Sequence, residues 1–387
     1  MRRIKRIFNL ILLTTAMLIG SASAAVNQSD ILPQTKDGAK WRLAYYQGGE
    51  YVDYHQYLVA AVRGFMALGW IEQQVIPVSK IKDTASLWRW MSQELKSDFI
   101  EFVDDAYYSA GWNNEVRNGQ QSEFIDRLNV VADIDMVIAM GTWAGKDLAN
   151  NLHSTPTIIL SASDPVRSGV VKSLQDSGFD HVFVSADPGL FEQQIRIFHD
   201  FIGFKRLGVA FEDTVDGRSY AAIELVEKVA RERGFQVIAC HTLSDIPDQQ
   251  QAGQSVIDCF RQLSENVDAI YVTVQGGVNT GTIFTLMEIA NKRQIPTFSQ
   301  SGEHEVKYGS LLSLSKQESF NAEGLLLSKV MARVLNGANP RYLKHEVGET
   351  SRIVLNLKTA EMIGLYLSAD VLAAADRIYR QIEKPKD

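Results

Sequence analysis

Residues 207–240 read LGVAFEDTVDGRSYAAIELVEKVARERGFQVIAC. A short apolar run, Leu207 to Phe211, gives way to a longer amphipathic stretch, Tyr220 to Arg233, and then to a second apolar run, Phe235 to Cys240. Strand, helix and strand in that order build a parallel sheet wrapped by helices. The same rhythm extends both ways. Upstream, strands are expected at Arg42 to Tyr46, Met136 to Met140 and Thr157 to Leu160, and helices at Tyr57 to Leu68 and Leu190 to Phe201. Downstream, strands fall at Ala269 to Val274 and Thr297 to Ser299, and helices at Gln254 to Leu263 and Thr280 to Lys292. Between Ser161 and Val184 the signals fade into Ser, Asp and Gly, which reads as a passage between two lobes. The fold class is therefore α/β, with two Rossmann-like lobes built on parallel sheets.

The first residues carry Arg2, Arg3, Lys5 and Arg6, then a mostly apolar run from Ile7 to Gly20, then Ala22-Ser23-Ala24. This is the pattern of an export signal occupying residues 1–24 and cleaved after Ala24, which places the mature protein in the periplasm. The apolar run is shorter than the roughly 20 residues of a membrane-spanning helix. Loss of the leader removes four positive charges and no negative ones, taking the formal charge from −7 to −11. Such a surface excludes nucleic acid and anionic lipid as partners. The 363 residues that remain suit two domains of ordinary size. Cys240 and Cys259 are the only cysteines, so in an oxidising compartment they form one possible disulfide, the alternative being two buried thiols.

Ligands of open α/β sheets lie beyond the carboxyl ends of the strands, which singles out the residues that follow each strand. After the first come Gln47-Gly48-Gly49-Glu50 and the aromatic cluster Tyr51, Tyr54 and Tyr57, with Tyr45 in the strand itself. Gly141, Thr142 and Trp143 follow Met140, where a helix start offers N–H groups and a hydroxyl to a carboxylate or carbonyl. Ser161, Ser163 and Asp164 follow Leu160, as ligand contacts or as a cap ahead of Pro165. In the second half, Glu212 and Asp213 either meet a cation or cap the next helix, and Gln275-Gly276-Gly277 echoes Gln47-Gly48-Gly49. Stacking is assigned to Tyr45, Tyr54 and Trp143, and orientation to Gln47, Ser163 and Gln275.

No enzyme constellation is present. Gly141 to Lys146 is one residue too short for a Walker loop, and His304-Glu305 lacks the second histidine of H-E-x-x-H. G-x-S-x-G and G-x-G-x-x-G are absent. Neither catalytic residues, a metal nor a cofactor is expected.

The segment Val354-Leu355-Asn356-Leu357-Lys358-Thr359-Ala360, followed by Ile363-Gly364-Leu365, resembles the "NLKTA…LG" segment of bacterial ABC-transporter substrate-binding proteins of the type I periplasmic fold, in the group with tryptophan- and tyrosine-binding members. Gly141-Thr142, Ser163-Asp164-Pro165, Ala269 to Val272, Ile295 to Phe298, and Leu335-Asn336-Gly337 with Pro340 support it in order and spacing. The resemblance runs from Arg42 to Ile382. It implies two lobes joined by a three-strand hinge, with crossings near Ser161 to Val184, Leu312 to Ser315 and Arg341 to Val347. The helix Phe320 to Leu335 then returns to the first lobe. Lobe 1 comprises residues 40–162 with 316–342, and lobe 2 residues 163–315 with 343–382. It further implies a monomer that closes on a small organic ligand and hands it to an ABC permease or, on the alternative reading, presents it to a membrane sensor. The chain departs from the group at Gln275 and Gly276, where members carry an acidic residue followed by Asn. A neutral amide cannot pair with a ligand's amino group, and Glu212, Asp213 and Glu303 are the acids that could stand in.

Overall fold

Apolar runs become central strands when both of their faces are covered by helices. The computed structural model, which describes residues 28–81, 83–187, 189–315, 321–345 and 351–384, places such runs in two sheets. The first consists of β1 (Trp41–Gln47), β2 (Ile100–Ser109), β3 (Met136–Met140), β4 (Thr157–Leu160) and β5 (Val182–Val184), all parallel, in the order β2-β1-β3-β4-β5. The second consists of β6 (Arg206–Phe211), β7 (Gln236–His241), β8 (Ala269–Val272), β9 (Thr297–Ser299), β10 (Leu312–Ser315), β11 (Arg352–Asn356) and β12 (Arg377–Tyr379). Its order is β12-β11-β10-β9-β8-β6-β7, antiparallel only between β10 and β11.

The helix expected at Tyr220 to Arg233 is two helices. Val215–Tyr220 is capped by the Thr214 hydroxyl, which accepts from the Gly217 N–H, and Ala222 in the left-handed region (φ 50°) turns the chain before Ile223–Arg233. The break leaves Tyr220 at a helix end that faces the other lobe. β2 escapes an apolar pattern because it is an edge strand: Asp104 and Asp105 lie on its exposed stretch. The helices Thr84–Glu94 and Asn114–Asp126, also unforeseen, start at Asp83 and Asn113, whose side chains accept backbone N–H groups of the first turn.

β5 corrects the lobe boundary. The segment 163–184, expected in lobe 2, ends in a strand paired with β4 and so belongs to the first sheet. The first crossing therefore lies between Val184 and Leu190, where Ala186 N–H donates to the His345 carbonyl and Val184 N–H to His345 Nδ1. Of the other two crossings, expected near Leu312 to Ser315 and Arg341 to Val347, the adjoining residues 316–320 and 346–350 lie outside the described residues, as does the expected export signal at 1–24. Among the described residues no helix is long and apolar enough to cross a membrane.

Cys240 and Cys259 are bonded, with their Cα atoms 5.6 Å apart. They tie β7 to the helix Gln249–Leu263 and bracket the loop 242–248. In the first lobe the returning helix Asn321–Leu335 lies against Val52–Ala67 at backbone distance. A Cβ on Gly324 would come 2.3 Å from the Ala60 carbonyl oxygen, and one on Gly64 would come 2.5 Å from the Gly324 carbonyl oxygen. Ser328 Oγ donates to the Ala61 carbonyl at 2.8 Å in the same seam. Because neither backbone can yield, Gly324→Ala should cost about 1–3 kcal/mol, read as a lowered midpoint in thermal unfolding. An unchanged midpoint would mean that the two helices pack less tightly.

Candidate functional site

The carboxyl ends of β1, β3 and β4 in one lobe and of β6, β8 and β9 in the other open onto a cavity of about 350 Å³ between the lobes. Contacts across its rim hold the lobes together. Trp143 Nε1 donates to Asp245 Oδ2 at 2.9 Å, Lys146 pairs with Asp216 at 2.8 Å, and the hydroxyls of Tyr51 and Ser301 lie 3.4 Å apart. Trp112, Trp143 and Tyr220 form a shared apolar cluster spanning both lobes.

Of the residues singled out in the sequence, Tyr51, Tyr54, Tyr57, Thr142, Ser161, Ser163, Gln275 and Gly276 line this cavity. Tyr45, Gln47, Gly48, Gly141, Trp143, Asp164 and Glu212 do not, and each has a role beside or beneath it. Tyr45 is fully buried, donates to Gln47 Oε1 at 2.6 Å and stacks on Tyr107 with ring centres 5.2 Å apart. Gln47 is in turn held by Tyr107, Ser109 and Thr84, so this network supports the wall and does not reach through it. Gly48 and Gly141 make room: a Cβ would meet Trp143 Cβ at 2.7 Å in the first case and the Tyr54 hydroxyl at 1.8 Å in the second. Gly141 also has φ +83°, where an L side chain is strained. Trp143 packs edge-on against Trp112 and beneath the Arg117 guanidinium, 4.3 Å from its ring centre. Asp164 Oδ1 accepts from Arg167 N–H, a turn cap. Glu212 Oε1 accepts from Ser244 N–H and steadies the loop that follows β7, while Asp213 pairs with Arg218.

Gln275 lines the cavity with its amide already occupied. Its Oε1 accepts from Thr242, and its Nε2 donates to the Ala210 carbonyl and to Thr273. Glu303, the stand-in acid that does line the cavity, is bound by Arg377 and by the Tyr379 hydroxyl, both at 2.6 Å.

Trp112, Asp245, His304 and Glu305, none of them expected as ligand contacts, also line the cavity. Asp245 lies in the loop 242–248 and accepts from Trp143 of one lobe and Tyr220 of the other, both at 2.9 Å. Burial, with the charge of Glu212 adding to it, pushes its carboxyl up to about 6 against the stabilising bonds from Tyr220 and Ser244. Burial likewise pushes Glu305 up to about 8, partly offset by the Ser299 hydroxyl, with the charge of Asp53 reinforcing the rise. His304 is lowered to about 4 by burial. His304 and Glu305 entered the sequence analysis only as an incomplete zinc motif, and nothing in the local pattern marks Asp245 as facing the cleft.

Three polar atoms of the lining are buried with no hydrogen-bond partner: Thr142 Oγ1, His304 Nε2 and Glu305 Oε2. Such groups are costly to leave unsatisfied, and in a cavity of this size they mark where a ligand's polar atoms belong. Among the described residues no three His, Cys, Asp or Glu side chains gather into a metal-binding group.

A family model described as ABC transporter substrate binding protein matches residues 95–379. A tyrosine-binding protein of Clostridioides difficile is 22% identical over 307 residues, 77% of this chain and 84% of that protein. A conserved domain protein from Vibrio cholerae matches with a TM-score of 0.67 at 19% identity, covering 88% of this chain and 99% of that one. The ABC domain in complex with L-Trp from Streptococcus pneumonia gives a TM-score of 0.65 at 19% identity, covering 88% of this chain and 100% of that one. The shared architecture is the type I periplasmic binding fold.

Asp245 makes folding stability depend on pH. The folded protein holds its proton to higher pH than the unfolded chain does, so its contribution is complete below about pH 4 and is lost as pH rises through about 6. In urea titrations, wild type should therefore lose about 1–3 kcal/mol more stability between pH 4 and pH 7 than Asp245→Asn does, a range that allows for the group's partial exposure. Parallel pH profiles for the two proteins would contradict this.

Proposed function

The chain belongs to the ABC transporter substrate-binding protein family, and from that premise we propose that it is the receptor of an importer. On this reading it is exported, cleaved after Ala24, and works in the periplasm as a monomer. It closes on one small organic molecule and presents the closed form to a membrane permease. The observation that carries the reading is the cavity held between two lobes, with buried, unpartnered polar atoms supplied by both: Thr142 from the first, His304 and Glu305 from the second. Without a guest, closure strips these atoms of water and returns nothing; with one, each gains a bond. That differential is what hinge closure needs to report occupancy.

Size and lining agree with such a guest. About 350 Å³ suits a molecule of amino-acid dimensions, and Tyr51, Tyr54, Tyr57, Trp112 and Tyr220 supply flat apolar walls. The tyrosine named for the Clostridioides difficile relative and the L-Trp of the pneumococcal structure are molecules of that kind. Thr142 and the neighbouring helix start at Gly141 are suited to an acceptor group of the ligand, with Ser161 and Ser163 close by.

Native mass spectrometry of protein purified without refolding should reveal a retained small molecule. With that molecule in hand, Thr142→Val should weaken binding by about 1–3 kcal/mol in calorimetry while thermal unfolding of the free protein barely changes. Equal affinity for the two proteins would remove Thr142 from the site, and a protein that never carries or binds a small molecule would end the receptor reading.

A further inference from the structure

Five carboxyl groups line the cavity among the described residues: Asp53, Asp187, Asp245, Glu303 and Glu305. Against them stand one lysine and no arginine. Lys307 is the lysine, and its ammonium lies over the Tyr308 ring, 4.8 Å from the centre. A cleft so composed repels an anion and attracts a cation, and the aromatic faces of Tyr51, Tyr54, Trp112 and Tyr220 add to that attraction.

The acids are not equivalent. Glu303 is satisfied by Arg377 and Tyr379, and Asp245 by Trp143, Tyr220 and Ser244. Glu305 is 5% exposed; the Ser299 and Ser301 hydroxyls lie near its carboxyl, and its Oε2 makes no hydrogen bond. It sits beside Ser301, whose hydroxyl approaches that of Tyr51, so the carboxyl lies next to an aromatic wall contributed by the opposite lobe. Resting on the receptor reading above, we propose that this cleft recognises its solute by a protonated amine seated on Glu305, with a flat apolar body between the tyrosines and tryptophan. The amine is the recognised group, and a neighbouring carboxylate on the ligand is not required.

The position that would hold an acid in related proteins carries Gln275, and its amide is spent on Thr242, Ala210 and Thr273. The carboxyl with an unpartnered oxygen at the cleft lies on the short helix Glu303–Lys307 and not at the end of β8. Groups facing Glu305 are Asp53 and Tyr51 from the first lobe, Tyr271 from β8, and His304 and Lys307 on its own helix. Of these, Asp53 favours the protonated carboxyl in the empty cleft, and burial favours it more. Binding of an ammonium breaks the carboxyl O–H bond, sends that proton to solvent and forms an N–H to carboxylate ion pair, so close to one proton leaves per amine bound at pH 7.

The test is calorimetry of the full chain, wild type and Glu305→Gln, in buffers of different ionisation heat. The probes are tyramine and tryptamine, the parent amino acids tyrosine and tryptophan, and the amine-free 4-hydroxyphenylacetate and indole-3-acetate. Expected are binding by the amines, binding at least about 50-fold weaker by the amine-free acids, and release of close to one proton. Glu305→Gln should lose at least about 30-fold in amine affinity and all proton release, with its fold confirmed by unchanged circular dichroism and thermal midpoint. Tighter binding by the amine-free acids, or equal amine affinity in the variant, overturns the amine seat and leaves the receptor reading intact. No binding by any probe, with no molecule retained in native mass spectrometry, removes both.

Discussion

A carboxyl oxygen taken out of water without a bond costs free energy, and on the proposed receptor reading the closed form depends on a ligand to offset that cost. Glu305 Oε2, Thr142 Oγ1 and His304 Nε2 are desolvated when the lobes meet, and the protein provides none of them with a bond. Closure is favourable only to the extent that something else fills those valences. On the proposed receptor reading, closing equally well on nothing would carry no information to a permease, because a ligand shifts an equilibrium only by its differential affinity for the two states. On that reading the unsatisfied lining supplies both selectivity and signal.

The fold supplies the rigidity against which that cost is felt. Each sheet directs its strand ends into the cleft, and the seam at Gly64 and Gly324 fixes the returning helix to the first lobe at backbone contact. The loop that carries Asp245 is held at three points: by the Cys240–Cys259 bond, by Glu212 at the Ser244 N–H, and by the donors Trp143 and Tyr220. Trp143 belongs to the other lobe, so its indole N–H bonds to Asp245 across the cleft. Rim contacts of this kind favour closure, buried orphans oppose it, and a guest decides the balance.

Much of this was legible in residues. The apolar runs of β3, β4, β6 and β9 are bounded by Gly, Pro or polar residues, and their strands appear where the pattern puts them because strands covered on both faces need continuous apolar sequence. β2 was hidden by Asp104 and Asp105, since an edge strand can leave charge on its open side. β5 was hidden by its length, three residues inside a stretch rich in Ser and Gly. Thr142, Ser161 and Ser163 were legible as site residues because each lies within three positions of a strand end, and Tyr54 because it belongs to the aromatic cluster that follows β1. Asp245 and Glu305 were not, because a residue four or more positions past its strand takes its direction from loop anchors and helix packing, to which local sequence is blind.

Gln275 draws these threads together. Its sequence position promised contact with the ligand, and it does line the cavity, yet all three of its amide bonds point back into the second lobe. With Thr242 donating to it and the Ala210 carbonyl and Thr273 accepting from it, it braces β6, β8 and the loop after β7 against one another. An acid at this position would place a charge beside the Ala210 carbonyl, which can only repel it, so the bracing amide and the displaced carboxyl are two halves of one arrangement. The strand end holds the wall, and on the proposed amine seat charge recognition passes to the helix beyond β9, where Glu305 lies within electrostatic reach of Asp53 and Tyr51 of the opposite lobe.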